Sequence, residues 1–414
     1  MSTPGRRYEW KLVVLFFFTW GFVFLDRLAV SFLTPKLIDV FGINNAQVGM
    51  IGTTATGCYA IATILFSMVA NRITKPKAAL IIFVLATAVG AGLCSFVHTY
   101  AQLLIARGLV GAFEGPILPL IMVLMSMAAS KNSFGLDTGI INLGVVIVAV
   151  VFGPILITQI LRISTWQMAF PAYALPIIIV ALSTAAMTKE VEIQAQPVAN
   201  SKSEHAGRTN AISQFLTFRN MRICSLISIL AMSGYWCIML YAPLYLTKVN
   251  MKSIQSMGFI SSTMGLTMIV YAIMIPKLSD IFGRRPILTL FLALPAIGTF
   301  LMAVFPGGNV STLAYVATGG ILGCVMPVYA ILIPLESVPD HLKASANGFV
   351  IGLGEILGGA LFPFVGGTIA DAVSLPAMMG VAGGLLVIGV LLSLFVTETL
   401  PKKVKTAVAA TAQC

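Results

Sequence analysis

Apolar stretches of membrane-crossing length recur along the whole chain, at about 10–34, 46–70, 77–98, 101–126, 136–160, 166–188, 222–247, 256–279, 286–305, 311–334, 345–370 and 375–397. A helix rises 1.5 Å per residue, so about 20 apolar residues cross a hydrocarbon core roughly 30 Å thick. A helix on the surface of a soluble bundle would show a polar stripe at 3.6-residue spacing. These stretches lack it. Gly and Pro fall inside them, as membrane helices tolerate when neighbours satisfy the freed backbone groups. The one long polar interruption, 189–220, separates six stretches from six. The pattern predicts an all-α polytopic membrane protein with twelve transmembrane helices. Its parts are an N-terminal six-helix half over 1–188, a linker over 189–220 and a C-terminal six-helix half over 221–414.

Composition strengthens this reading: 58% of residues are hydrophobic and 9% charged, against about 25% charged in a soluble domain. A net charge of +11 would suit a nucleic-acid binder, but its placement points elsewhere. With the stretches threaded alternately, most of the 25 Lys and Arg fall in loops on one side, while Lys36, Arg162, Lys248 and Lys252 fall on the other. This is the positive-inside bias, and it places both termini and the linker in the cytoplasm of a multi-pass plasma (inner) membrane protein. The first apolar run is too long for a cleavable signal and lacks a small-residue cleavage site. The six Cys show no metal-ligand spacing, so neither a metal site nor a disulfide framework is expected.

The two halves repeat a loop. Leu278-Ser279-Asp280-Ile281-Phe282-Gly283-Arg284-Arg285 stands between stretches 8 and 9. Asn71-Arg72-Ile73-Thr74-Lys75-Pro76-Lys77 stands at the equivalent place between stretches 2 and 3. An acid at a helix end followed by a tight basic turn suits a charge latch at the cytoplasmic mouth, so Asn71, Arg72, Asp280, Arg284 and Arg285 are the candidate gate.

Charges at bilayer depth cost at least about 2.5–3.5 kcal/mol and are functional candidates by default. Asp26, Arg27, Arg107, Glu114 and Glu355 qualify. Arg107 and Glu114 are two helical turns apart and share a face, about 10 Å apart along the axis; Gly111 between them is expected to leave space beside the charges. Asp26 and Arg27 point about 100° apart and serve different faces. Arginine grips a carboxylate or phosphate bidentately and keeps its charge, so two arginines facing a cavity imply an anionic ligand. His98, His205 and His341 lie at membrane edges or in loops, so a proton relay must run on carboxylates. Tyr235, Trp236 and Tyr241 could pack against a ligand and offer polar donors, or could equally face lipid or an interface. The 20 Met are packing filler rather than a metal path.

The repeated loop is similar to the Gly-x-x-x-Asp-Arg-x-Gly-Arg-Lys signature of the major facilitator superfamily, with a good copy at Asp280–Arg285 and a degraded one in which Asn71 replaces the acid. Glu336-x-x-Pro339-x-x-x-Lys343 after stretch 10 extends the resemblance, which implies alternating access by two halves around a midplane site. Phe24-Leu25-Asp26-Arg27-Leu28-Ala29-Val30-Ser31 and Arg107-x-x-x-Gly111-x-x-Glu114-x-Pro116-x-x-Pro119 resemble helix 1 and helix 4 of the anion:cation symporter family, which includes galactonate and hexuronate permeases, sialin and the vesicular glutamate transporters. Trp166-Gln167-Met168-Ala169-Phe170 is similar to that family's entry to helix 6, and Tyr59-Ala60 occupies the place of a cavity-lining helix 2 Tyr.

The resemblance implies that Arg27 and Tyr59 bind the substrate carboxylate, with Asp26 and Glu114 as proton-coupling acids and Arg107 holding their neighbourhood. Glu355 stands where the family's helix 11 commonly has Asn. It is expected to be protonated when substrate binds, or to meet a hydroxyl or cationic part of the substrate. The expected function is a proton-coupled symporter for a small organic anion, a sugar acid or other mono- or dicarboxylate. The proton is then the coupling ion, no cofactor is used, and the chain works as a monomer in the bilayer.

Three alternatives fit less well. An exchanger of dicarboxylates or phosphate esters would need arginines in both halves. A drug:proton antiporter would need a helix 5 motif of which only Gly153-Pro154 survives. A receptor on the same scaffold would carry an added signalling domain. No nucleophile motif, phosphate loop or metal cluster supports an enzyme.

Overall fold

The computed structural model describes residues 6–70, 73–129, 133–189, 215–339 and 342–400. Most of the expected linker, and the gate residues Asn71 and Arg72, lie outside the described residues. Among the described residues, twelve helices are long and apolar enough to cross a membrane: α1 (Arg6–Phe41), α2 (Asn45–Val69), α3 (Pro76–Phe96), α4 (Tyr100–Ala128), α5 (Phe134–Ile163), α6 (Trp166–Met187), α7 (Arg219–Lys248), α8 (Ile254–Phe282), α9 (Arg284–Val304), α10 (Asn309–Ser337), α11 (Ser345–Ala372) and α12 (Leu375–Ser393). Among the described residues there is no strand.

Helix ends follow capping chemistry more than hydropathy. α1 runs well past the apolar stretch at 10–34 until Gly42, at φ +63°, closes its last turn by donating its N–H to the Ile38 carbonyl at 2.9 Å. A left-handed glycine there is the usual helix stop. Two residues on, Asn44 starts α2: its side chain accepts the Gln47 N–H at 2.9 Å, and the Gln47 side chain accepts the Asn44 N–H at 3.0 Å. Thr99 and Gln102 repeat this reciprocal cap at the start of α4. Each such box satisfies two backbone donors that the helix leaves free.

The chain divides into two compact units, Met1–Pro197 with Leu246–Leu266, and Val198–Tyr245 with Thr267–Cys414. In the first unit several helix crossings are tight enough to exclude any side chain, two of them at 2.1 Å from backbone. A Cβ on Gly144 in α5 would lie 2.1 Å from the Phe17 carbonyl of α1, and one on Gly111 in α4 would lie 2.1 Å from the Ala55 carbonyl of α2. Membrane helices associate through such close backbone contact, because lipid offers no hydrophobic gain for burial between helices. The space expected beside Gly111 is therefore occupied by the α2 backbone: the glycine serves packing and not a cavity. Three helices carry a wider π-type stretch, at Val145–Phe152 in α5, Val328–Leu332 in α10 and Gly354–Ala360 in α11. Such segments recur at functional positions, and the last holds Glu355.

Candidate functional site

In the first unit, α1 and α4 bring together the charges that hydropathy marked as out of place. Arg107 donates from Nη1 to Asp26 Oδ2 at 2.8 Å and from Nη2 to the Asp26 main-chain carbonyl at 3.3 Å. Both partners are sealed from solvent, at 1% and 0% exposure. A buried pair of this kind is held by geometry, since each ion has lost its water. Arg107 thus faces Asp26 and not an open cavity, which corrects the expectation of two arginines lining one.

Arg27, one residue further along α1, points elsewhere, as the 100° step between neighbours requires. Its guanidinium carbon stands 4.1 Å from the centre of the Tyr59 ring and 5.7 Å from that of Phe24. A cation over an aromatic face is attracted by the ring's negative quadrupole, by about 0.5–2 kcal/mol according to how dry the site is. The α2–α4 crossing sets Tyr59 in place. A Cβ on Gly115 would come within 2.8 Å of the Tyr59 carbonyl, and the Thr63 hydroxyl donates to the Gly115 carbonyl at 3.1 Å.

Glu114 completes the cluster. It is 3% exposed, its Oε1 has no hydrogen-bond partner, and it lies within electrostatic reach of Asp26, Arg27 and Arg107. The Asp26 carboxylate, fully buried, lies beside both Glu114 and Tyr173. The two cations and two acids sum to zero charge when all are ionised.

Two members of this site escaped the sequence reading. Cys94 at the end of α3 and Tyr173 in α6 are both fully buried, and both lie within reach of Asp26 and Arg107. The Tyr173 hydroxyl lies beside the Asp26 carboxylate. Its ring is the last rung of an edge-to-face ladder: Phe41–Trp166 at 5.5 Å, Trp166–Phe170 at 6.0 Å and Phe170–Tyr173 at 5.8 Å. The Trp166-to-Phe170 motif thus acts as the support that sets Tyr173. The signal available in the sequence was the single Tyr of α6.

In the second unit a smaller polar group gathers on α7, α10 and α11. A Cβ on Gly359 would meet Trp236 Nε1 at 2.8 Å and Glu355 Oε2 at 3.1 Å, so the glycine leaves both atoms facing one point. Tyr329, fully buried and with no hydrogen-bond partner for its hydroxyl, lies within reach of Glu355. Tyr235 packs edge-on against Trp236 at 5.5 Å. Both rings are buried, so they face protein and not lipid. Tyr241 is also buried, but its hydroxyl donates to the Pro363 carbonyl at 2.8 Å. That bond ties α7 to α11 and serves packing, one of the two roles its residue type leaves open.

The Asp280 loop forms an ion-pair network within the second unit. Arg284 pairs with Asp280 at 2.5 Å and with Glu336 at 2.8 Å, and donates from Nη1 to the Ser279 hydroxyl at 2.7 Å. Gly283, at φ +106°, makes the turn in a backbone region that L side chains rarely adopt. Glu398, just past α12, accepts the backbone N–H groups of Arg284 and Arg285 at 2.8 and 3.2 Å. An acid at a helix N-terminus satisfies free donors and complements the helix dipole. Glu336, quoted above in its Pro339 motif, is one arm of this network, and Glu398 is a partner that the motif does not mark.

The Major Facilitator Superfamily family model matches residues 14–356. A relative from Cupriavidus pinatubonensis, described as a "Probable 4-methylmuconolactone transporter", is 24% identical over 82% of this chain and 79% of its own. One from Agrobacterium vitis, described as a "Putative tartrate transporter", is 22% identical over 97% of this chain and 93% of its own. Among solved structures, a D-xylose-proton symporter superposes with a TM-score of 0.77 at 16% identity, covering 95% of this chain and 98% of that one.

Proposed function

For a chain that belongs to the major facilitator superfamily, a family of transporters, we propose proton-coupled symport of a small organic carboxylate, with Arg27 and Tyr59 receiving the anion and Glu114 carrying the proton. The observation that carries this reading is the buried four-charge cluster, in which Arg107 is committed to Asp26 while Arg27 stands over Tyr59 beside Glu114. The names of the two relatives, a tartrate and a methylmuconolactone transporter, support an organic acid as cargo.

The coupling follows from electroneutrality. With Arg27, Arg107, Asp26 and Glu114 ionised, the cluster is neutral. An arriving carboxylate adds one negative charge to a water-poor site, and an uncompensated buried charge costs several kcal/mol. A proton delivered to Glu114 restores neutrality and releases Arg27 to grip the anion bidentately. Anion and proton therefore enter and leave together. Asp26 keeps Arg107 engaged, so that only one cation is offered. Alternating access by the two halves, with the Arg284 latch as the gate on the cytoplasmic side, delivers both inward. In this reading the protein works as a monomer in the inner membrane with both termini cytoplasmic.

The test uses the purified chain in proteoliposomes and a panel of labelled sugar acids, hydroxydicarboxylates and aromatic acids. An inward proton gradient should drive accumulation of at least one acid. Arg27→Ala should abolish binding and counterflow of that acid. Glu114→Gln should keep counterflow, because it leaves the cluster permanently one positive charge in excess, yet lose gradient-driven accumulation. Accumulation of no organic anion under a proton gradient overturns symport; Glu114→Gln losing both activities assigns Glu114 to structure.

A further inference from the structure

The first unit carries a cavity that the transport site does not use. It has a volume of about 860 Å³ and opens on the outer face of α1 beside α6. That volume lies toward the upper end of the ~300–1,000 Å³ usual for small-molecule sites. Its α1 wall follows one helical stripe, Arg7, Lys11, Val14, Phe18 and Phe22, at the i+3 and i+4 steps that align side chains. Over those residues α1 rises about 23 Å, more than the depth of one leaflet of a core roughly 30 Å thick.

The chemistry is sorted along that length. Arg6, Arg7 and Lys11 line one end, and no acid is among the lining residues. Apart from Ser183 the remaining walls are apolar, with Val14, Phe18 and Ile179 exposed. Trp10 stands at the junction between the basic and apolar parts, 44% exposed, where an indole suits the headgroup boundary. The basic end is fixed in place: the backbone N–H of Lys189, just past α6, donates to the Tyr8 hydroxyl at 2.8 Å, and the Lys189 ammonium lies 5.4 Å from the Tyr8 ring centre. The glutamate of that first turn does not neutralise it. Glu9 is buried and turned inward, accepting the Ser133 hydroxyl.

We propose that this groove between α1 and α6 is a binding site for an anionic glycerophospholipid, whose phosphate sits among Arg6, Arg7 and Lys11 and whose acyl chain lies along Val14, Phe18 and Phe22. Cations at one end and an apolar channel of leaflet depth beyond match a phospholipid in both order and length. Basic pockets between transmembrane helices take anionic headgroups in this way. The site stands independently of the transported substrate.

Trp10 supplies the readout. The full chain is reconstituted in phosphatidylcholine vesicles containing a minor fraction of phosphatidylglycerol brominated on its acyl chains, or of equally brominated phosphatidylcholine. Quenching at Trp10 is the difference between the wild type and Trp10→Phe. Each basic residue near an anionic interface is worth up to about fivefold in binding. The wild type should therefore prefer brominated phosphatidylglycerol by at least tenfold. Arg7→Gln/Lys11→Gln should bring the preference to within about threefold of parity. Lys75→Gln/Lys77→Gln, which removes the same charge from the α2–α3 connection, should leave the preference intact. Val14→Trp/Trp10→Phe, read at the new indole, should show reduced quenching by phosphatidylglycerol because the ring fills the apolar channel while leaving the cations in place. Equal quenching by the two lipids in the wild type, or the same loss in the Lys75/Lys77 pair as in the Arg7/Lys11 pair, overturns the proposal.

Discussion

The Asp26–Arg107 pair lends itself to a quantitative test. Asp26→Asn leaves the Arg107 guanidinium at 1% exposure with no opposite charge at hydrogen-bonding distance, holding only neutral acceptors, the new amide oxygen and the position 26 main-chain carbonyl at 3.3 Å. Arg107→Leu leaves the Asp26 carboxyl equally buried. Removing one member of a buried pair costs about 3–5 kcal/mol, whereas replacing both by uncharged groups is often near neutral. For a unit of roughly 200 residues, 1 kcal/mol moves the melting temperature by about 2–4 °C. Each single variant should therefore melt roughly 6–20 °C below the wild type, and Asp26→Asn/Arg107→Leu should recover to within about 5 °C. The assay is thermal unfolding of the purified chain in one detergent at one pH, followed by circular dichroism at a helical band. Additive losses in the double variant would mean that the two side chains do not act as a pair. Single variants within about 2 °C of the wild type would mean that the cluster is not dry.

Three further outcomes follow from the same geometry. Gly111→Val places branched carbon where a Cβ alone would sit 2.1 Å from the Ala55 carbonyl; it should force α2 from α4 and lower folded yield or melting temperature by an amount expected of overpacking, about 1–3 kcal/mol or more, measured against Gly108→Ala as a milder control at the same interface. Tyr173→Phe removes a buried hydroxyl that lies beside the Asp26 carboxylate, so it should shift the pH profile of transport; an unchanged profile removes Tyr173 from the proton path. Glu398→Gln weakens the cap on α9 by about 0.3–2 kcal/mol and should speed exchange kinetics more than it alters substrate affinity, read as Vmax against KM in counterflow; an effect on KM alone would detach the latch from gating.

The twelve spans were legible because hydrophobicity alone dictates where a chain can cross a bilayer. Their ends were not, since α1 continues through Pro35 and Lys36 to a glycine stop that hydropathy cannot register. The four charges of the first-unit cluster were legible for the same reason as the spans: each is expensive where it stands. Their pairing was not, because Arg107 and Asp26 lie 81 residues apart and only the helix crossings decide which face meets which. Gly111 was read as room beside a charge when it is the contact that makes the crossing possible. Residue type leaves Tyr241 open between a ligand and an interface, and its hydroxyl belongs to the α7–α11 junction. Cys94 and Tyr173 went unmarked because a thiol or a phenol inside an apolar helix costs far less than a charge, and so carries no warning in the sequence.

What the pairing adds to the charge count is a division of labour. Four ionisable groups in one dry place could bind an anion in several ways, and adjacency in the sequence favours treating Asp26 and Arg27 as a unit. The helix turn separates them instead. Asp26 spends its charge on Arg107 across the α1–α4 interface, while Arg27 is directed over Tyr59. Neutralising Asp26 would therefore disturb the scaffold before it touched proton transfer, whereas neutralising Glu114 changes the charge that Arg27 experiences while the Asp26–Arg107 bond stays intact. The two acids, alike in burial, should separate in experiment: Asp26→Asn by stability, Glu114→Gln by coupling. If both variants failed in the same assay and to the same degree, the cluster would be a single structural unit, and the proton path would have to be sought elsewhere in the chain.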